Sequence, residues 1–165
     1  MTGASEGIGR AYALELAKCG YNIKIASRSV DKLDKVAAEA REANPDIKTE
    51  VVPLDVTKAH PSEYGKLFNE KERVAIVVNN AGIMKNQKLL QMDPNDLERM
   101  IKTNVHPYIY MTKYALPHFI SNADSQSHRN AMIYVSSSFA YFQAPFVGPY
   151  CGTKIHNLFF PNMIR

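Results

Sequence analysis

The stretch from Arg73 to Val78 narrows what this chain can become more than any other. Val74, Ala75, Ile76, Val77 and Val78 are all apolar, so an extended segment here is greasy on both faces. Such a run belongs inside a parallel sheet, covered on both sides, rather than in a half-solvated antiparallel one. Parallel neighbours need crossover connections, usually helices. The remainder of the chain supplies them in alternation. Arg10 to Lys18 has helical periodicity, closed by Gly20, and Tyr21 to Ser27 reads as a short strand. Ser29 stands as the cap of an amphipathic helix from Val30 to Ala43, with Leu33, Val36, Ala37 and Ala40 on one face, which Asn44-Pro45-Asp46 stops. Thr49 to Val56 reads as a buried strand, and Pro61 to Asn69 as a helix. Two more helices, Asp93 to Thr103 and Val105 to Ile120, follow the apolar run, the first opened by Asp93 and Pro94. A polar loop, Ser121 to Asn130, then leads to a strand from Ala131 to Val135. The pattern predicts an α/β domain with a doubly wound parallel sheet and helices on both faces.

Length and composition suit one domain: 165 residues, 45% hydrophobic and 22% charged. The net charge of +4 is spread out with no Lys/Arg run, which excludes nucleic acid as a partner. Cys19 and Cys151 are too few for a disulfide framework and point to a reducing compartment. The sequence contains no membrane-spanning apolar run, signal-peptide pattern, repeat or linker. His60, His106, His118, His128 and His156 lack metal-ligand spacing, so no metal site is expected.

Four stretches carry chemistry. Gly3, Gly7 and Gly9, with Ser5 and Ile8 among them, precede the first helix; glycines there let backbone pass close to a phosphate, whose charge meets the helix N-terminus. Their spacing departs from G-x-G-x-x-G, but the mechanism is shared, and the order of glycine loop, helix and strand argues against a merely flexible loop. Ser27-Arg28-Ser29 ends the next strand without an acidic residue. An acid there holds ribose hydroxyls, whereas an Arg accommodates a 2′-phosphate, so Arg28 favours NADP over NAD; the alternative is a solvated charge at a helix start. Asp55 and the Asn79-Asn80-Ala81-Gly82 turn close two further strands, at the carboxyl ends where open α/β sheets bind ligands. Near the end, Tyr150 and Lys154 lie four apart on one helix face. A fixed ammonium favours the phenolate of a group whose ordinary pKa is about 10, making a plausible proton-transfer pair. Taken alone, the same spacing arises by chance on many amphipathic helices.

Thr-Gly-x-x-x-Gly-Ile-Gly (Thr2 to Gly9), Asn-Asn-Ala-Gly (Asn79 to Gly82), Asn104, Ser137 thirteen residues before Tyr150, and Tyr150-x-x-x-Lys154 occur in one order. Across nearly its whole length the chain resembles the short-chain dehydrogenases/reductases. Ala26-Ser27-Arg28-Ser29, Asp31-Lys32-Leu33 and Leu116-Pro117 are similar to the branch of microsomal 17β-hydroxysteroid dehydrogenases and very-long-chain 3-oxoacyl-CoA reductases. The resemblance implies an NADP-dependent ketone/alcohol oxidoreductase, with residues 1–165 forming one incomplete NAD(P)-binding Rossmann domain. It implies that Tyr150 donates a proton to the substrate carbonyl and that Ser137 hydrogen-bonds the same oxygen. Lys154 would hold the nicotinamide ribose and tune Tyr150, and Asn104 would hold a water in a relay to Lys154. Gly3, Ser5, Gly7, Ile8, Gly9, Arg28, Asp55, Asn80, Ala81 and Gly82, with Tyr150 and Lys154, would hold the cofactor. The apolar segment 139–148 suits an acyl chain or steroid, and equally a buried core loop. Helices 105–120 and 150–160 would serve a homo-oligomer. The branch implies the endoplasmic reticulum, the cytoplasm being the alternative. Members begin with a buried apolar strand before the Thr-Gly and continue beyond the Tyr-Lys helix, so both ends read as truncated. An inactive shortened relative serving as a binding or structural subunit is the competing expectation.

Overall fold

The computed structural model describes residues 1–69, 72–121, 129–142 and 144–164. Most of the expected 121–130 loop, His128 and Gln143 therefore lie outside the described residues. In chain order the elements are α1 (Gly7–Lys18), β1 (Ile23–Ser27), α2 (Val30–Ala43), β2 (Thr49–Pro53), α3 (Pro61–Gly65), β3 (Ile76–Asn79), α4 (Pro94–Asn104), α5 (His106–Ser121), β4 (Ala131–Tyr134) and α6 (Gly148–Phe159). All strand pairing is parallel: β1 pairs with β2 and β3 with β4. Met1 to Gly3 join the two pairs. The Met1 carbonyl accepts from Ala26 N at 2.9 Å, and Thr2 N donates to the Val78 carbonyl at 3.1 Å. The order across the sheet is thus β2, β1, the Met1–Gly3 segment, β3, β4.

The alternation of side chains along β1 assembles the layers. Ile23 and Ile25 point to one side, into a cluster with Ala13 and Ala17 of α1 and Leu33, Val36, Ala37 and Ala40 of α2. Ala26 points to the other, into a cluster with Val77 of β3 and Met111 and Ala115 of α5. Burial of each larger aliphatic side chain stabilises by roughly 1.5–3 kcal/mol, and the spacing of the four buried α2 residues gives that helix one committed face. Helices therefore cover both faces of a parallel sheet, as the apolar run at 74–78 requires.

Several elements are shorter than their sequence patterns. β2 stops at Pro53, and its side chains are half-buried to exposed rather than buried, because it has a partner on one side only. α3 is a five-residue turn of helix, ending at Gly65. β3 starts at Ile76, leaving Val74 outside the ladder, while the Ala75 carbonyl still accepts from Ala131 N at 2.9 Å. There the two pairs part, and a groove of about 770 Å³ opens between Ile23–Lys24 and Val74–Val77. Ser29 occupies the cap position of α2, but its hydroxyl caps nothing; its N–H instead donates to the Ser27 hydroxyl. Asp93 does cap α4, accepting from Asn95 N at 2.8 Å. No helix among the described residues is long and apolar enough to cross a membrane.

Candidate active site

The glycine loop folds as it does because of what lies against it. Gly3 has φ +64°, a conformation L side chains rarely adopt, and a Cβ on it would stand 2.9 Å from Ala81 Cα. A Cβ on Gly9 would collide with the Gly3 carbonyl oxygen and lie 2.6 Å from Asn80 Nδ2. Asn80 holds the loop closed, its Nδ2 donating to the carbonyls of Thr2 (3.2 Å) and Gly3 (3.0 Å). In return the Thr2 hydroxyl accepts from the backbone N–H groups of Asn80 and Ala81, both at 3.3 Å. The loop at the start of α1 and the turn after β3 thus form one bonded unit at the carboxyl ends of the strands.

A cleft of about 740 Å³ runs along this unit. Of the residues singled out from sequence, Gly3, Ser5, Ile8, Arg28, Asn80, Ala81, Gly82, Tyr150 and Lys154 line it. The others stand just off its wall. Gly9 is buried in the first turn of α1, and Gly7 opens that turn with φ +57°. Asp55 lies between the lining residues Leu54 and Val56. Burial alone would raise its carboxyl pKa, but hydrogen bonds from Thr57 and the charges of Arg28 and Lys58 hold it below the ordinary carboxylate value. Ser137 follows the lining residue Ser136. Its hydroxyl accepts from Phe139 N at 3.2 Å, and among the described residues its own proton has no acceptor.

Tyr150 and Lys154 project from one face of α6 into the cleft. Lys154 is buried, at 4% exposure. Its Nζ donates to the Val135 carbonyl at 3.0 Å and stands 5.7 Å from the Tyr150 ring centroid. Burial pulls the Lys154 pKa down to about 8. The absence of a side chain at Gly82 makes room for it, since a Cβ there would lie 3.3 Å from Nζ and 3.6 Å from Asn104 Oδ1. Asn104 therefore sits on the Lys154 side of the pair. Fully buried at the end of α4, it makes three hydrogen bonds: Oδ1 accepts from Ile83 N at 2.8 Å, and Nδ2 donates to the Ile83 carbonyl at 2.9 Å and to Thr153 Oγ1 at 3.0 Å. Among the described residues, no direct hydrogen bond links the side chains of Ser137, Tyr150 and Lys154. The Phe139 ring meets Tyr150 edge-on, 6.1 Å between centroids.

Sequence reasoning passed over three polar side chains that build this site. The Thr2 hydroxyl orders the Asn80–Ala81 turn; Thr153 hands Asn104 to α6; and Ser136 donates to the Lys154 carbonyl at 2.7 Å. The position of Thr153 between Tyr150 and Lys154 was its signal. Among the described residues of segment 139–148 Val147 is buried, but the aromatics are not core: Tyr141 and Phe142 are 70% exposed and Phe146 is 50% exposed. The Phe146 carbonyl accepts from Gln87 N at 2.9 Å. Among the described residues, no three His, Cys, Asp or Glu side chains gather to hold a metal.

The family model for short chain dehydrogenase matches residues 1–160. The very-long-chain 3-oxoacyl-CoA reductase of Coccidioides immitis is 31% identical over 158 residues, 93% of this chain and 44% of the relative. The 17-beta-hydroxysteroid dehydrogenase type 3 of Danio rerio is 35% identical over 164 residues, covering 94% of this chain and 50% of the relative. Among solved structures, a short-chain dehydrogenase from Sphingobium yanoikuyae in complex with NADPH superimposes with a TM-score of 0.88 at 26% identity, over 98% of this chain and 61% of that one. The chain spans about half the length of these curated relatives. With the glycine loop, the Asn-Asn-Ala-Gly turn and the Tyr-Lys helix on one cleft, it belongs to the short-chain dehydrogenase family of oxidoreductases.

Proposed function

We propose that this chain supplies the cofactor cleft and the proton-transfer residues of an NADP-dependent oxidoreductase that interconverts a ketone and a secondary alcohol on an apolar substrate. The observation that carries the reading is that Tyr150 and Lys154 open onto the same cleft as the glycine loop. The residues present fit a dinucleotide. Gly3 and Gly9 leave bare backbone where a Cβ would intrude, and Arg28, between two serines, offers charge for a 2′-phosphate. Asn80 to Gly82 line the same cleft, and Lys154 would hold the nicotinamide ribose. The NADPH bound by the Sphingobium relative supports this choice.

NADPH, when bound, supplies hydride to the carbonyl carbon. Tyr150 gives its phenolic proton to the carbonyl oxygen, so that carbonyl, hydride and proton balance to the alcohol. The Lys154 ammonium stabilises the negative charge that this leaves on the Tyr150 oxygen, and solvent restores the proton through the Lys154 and Asn104 side of the site. The hydroxyl of Ser137 would hydrogen-bond the reacting oxygen as charge grows on it. Oxidation runs the same steps backwards. The exposed aromatics Tyr141, Phe142 and Phe146, and the names of the relatives, support an acyl-chain or steroid-like substrate.

The test is Tyr150→Phe in the whole protein, with NADPH consumption followed on 3-oxoacyl-CoA and keto-steroid substrates. Turnover should fall by at least about 100-fold while NADPH still binds. Full turnover without the hydroxyl would overturn the reading. NADPH binding without turnover in the unmodified protein would favour the inactive-relative alternative.

A further inference from the structure

Tyr108 has no part in the chemistry described above. On α5 it is fully buried, within the apolar face that packs against the sheet. Its hydroxyl, however, leaves that face and donates to the Val135 carbonyl at 2.9 Å. The same oxygen accepts from Lys154 Nζ at 3.0 Å. The Lys154 ammonium lies over the Tyr108 ring as well, 5.8 Å from its centroid.

We propose that Tyr108 is a positioning residue for Lys154, its ring supporting the buried ammonium and its hydroxyl fixing the carbonyl to which that ammonium is anchored. A lysine side chain has a flexible four-carbon stem, and its charge is disfavoured away from water. A carbonyl has two acceptor sites, so Val135 accepts from both groups without competition, and the Tyr108 bond sets where the oxygen points. The ring face then offers the ammonium an electrostatic partner that cannot itself take its proton. Tyr108 is held in turn: the Thr112 hydroxyl donates to its carbonyl at 2.6 Å and pairs with the Tyr134 hydroxyl at 2.7 Å. Burial pushes the Tyr108 phenol well above its ordinary range, so it stays a neutral donor while Lys154 titrates. Tyr108 from α5 and Tyr150 from α6 are the titratable side chains whose rings face Lys154; α4 contributes the neutral amide of Asn104, and the turn after β3 contributes Gly82.

The inference rests on the reading that Lys154 serves proton transfer, and the two are separable. Protein made with ¹³C-lysine reports the Lys154 titration through its Cε resonance, assigned by its loss in Lys154→Arg. Tyr108→Phe, and then 3,5-difluoro- and 3,4,5-trifluorophenylalanine at the same position, preserve ring shape while progressively weakening the ring face. The Lys154 titration point should fall stepwise across these three, by about one pH unit in all. The basic limb of NADPH binding, followed by cofactor fluorescence, should move with it. A titration point unchanged across the series overturns the proposal, since a ring that merely fills space is indifferent to fluorination. A stepwise fall in a protein whose Lys154→Arg variant turns over normally sustains the positioning and sinks the catalytic reading instead.

Discussion

Replacing Lys154 with Met should make the protein more stable while ending its chemistry. In the folded state burial lowers the Lys154 pKa from 10.5 to about 8. At 1.36 kcal/mol per pH unit, that gap destabilises the native state by about 3 kcal/mol at neutral pH. Methionine has similar length and volume and fits the slot beside Gly82. Its arrival orphans nothing, because the Val135 carbonyl keeps the Tyr108 hydroxyl. The sign follows from proton counting. The unfolded lysine holds its proton up to about 10.5 and the folded one only to about 8, so wild-type stability rises with pH between those values. The variant lacks this dependence. Urea unfolding should therefore show Lys154→Met ahead by about 3 kcal/mol at pH 7 and by only about 1 kcal/mol at pH 9.5. A variant no more stable at pH 7 would refute the assigned cost. An advantage that stays constant with pH would trace the gain to apolar packing rather than to the buried charge.

Gly9→Ala should unfold the loop or strip the Asn80 bonds, with a loss of several kcal/mol by thermal unfolding. Gly7→Ala, strained by its φ of +57° but meeting nothing within 4 Å, should cost only about 1–2 kcal/mol. Equal costs would contradict the close approach at Gly9. Asn104→Ala leaves the half-buried Ile83 N–H and carbonyl without their amide partner and should cost about 2–5 kcal/mol by urea titration. A change under about 0.5 kcal/mol would mean that water replaces the amide. Arg28→Asp should reverse an NADPH over NADH preference, read from dissociation constants; equal affinities in the unmodified protein would remove the basis for that choice.

The layers were legible because apolar spacing reports burial directly. Leu33, Val36, Ala37 and Ala40 fall on one helical face by arithmetic alone, and the run at 74–78 demands cover on both sides. Strand extent was harder to read, since it depends on neighbours. The apolar stretch from Val51 to Leu54 gives no sign that β2 has a partner on one side only, or that the ladder stops at Pro53. The Tyr150 and Lys154 spacing was visible because four residues make one helical turn. The partners of Asn104, by contrast, are Ile83 and Thr153, 21 and 49 residues away, and no local pattern encodes such distances. Tyr108 illustrates a mixed case. Its ring is buried as the helical periodicity implies, but the acceptor for its hydroxyl comes from the end of a strand 27 residues later.

The reciprocal bonds between Thr2–Gly3 and Asn80–Ala81 also bear on how this protein can be re-engineered. Two segments 78 residues apart in sequence behave as a single cassette. A glycine loop transplanted from a relative would arrive without the amide that closes it, and a foreign residue at position 80 would leave two loop carbonyls reaching for nothing. Grafts that change cofactor preference should therefore carry both segments together, and chimaeras with a crossover point between them should work only when both parents supply the same clasp.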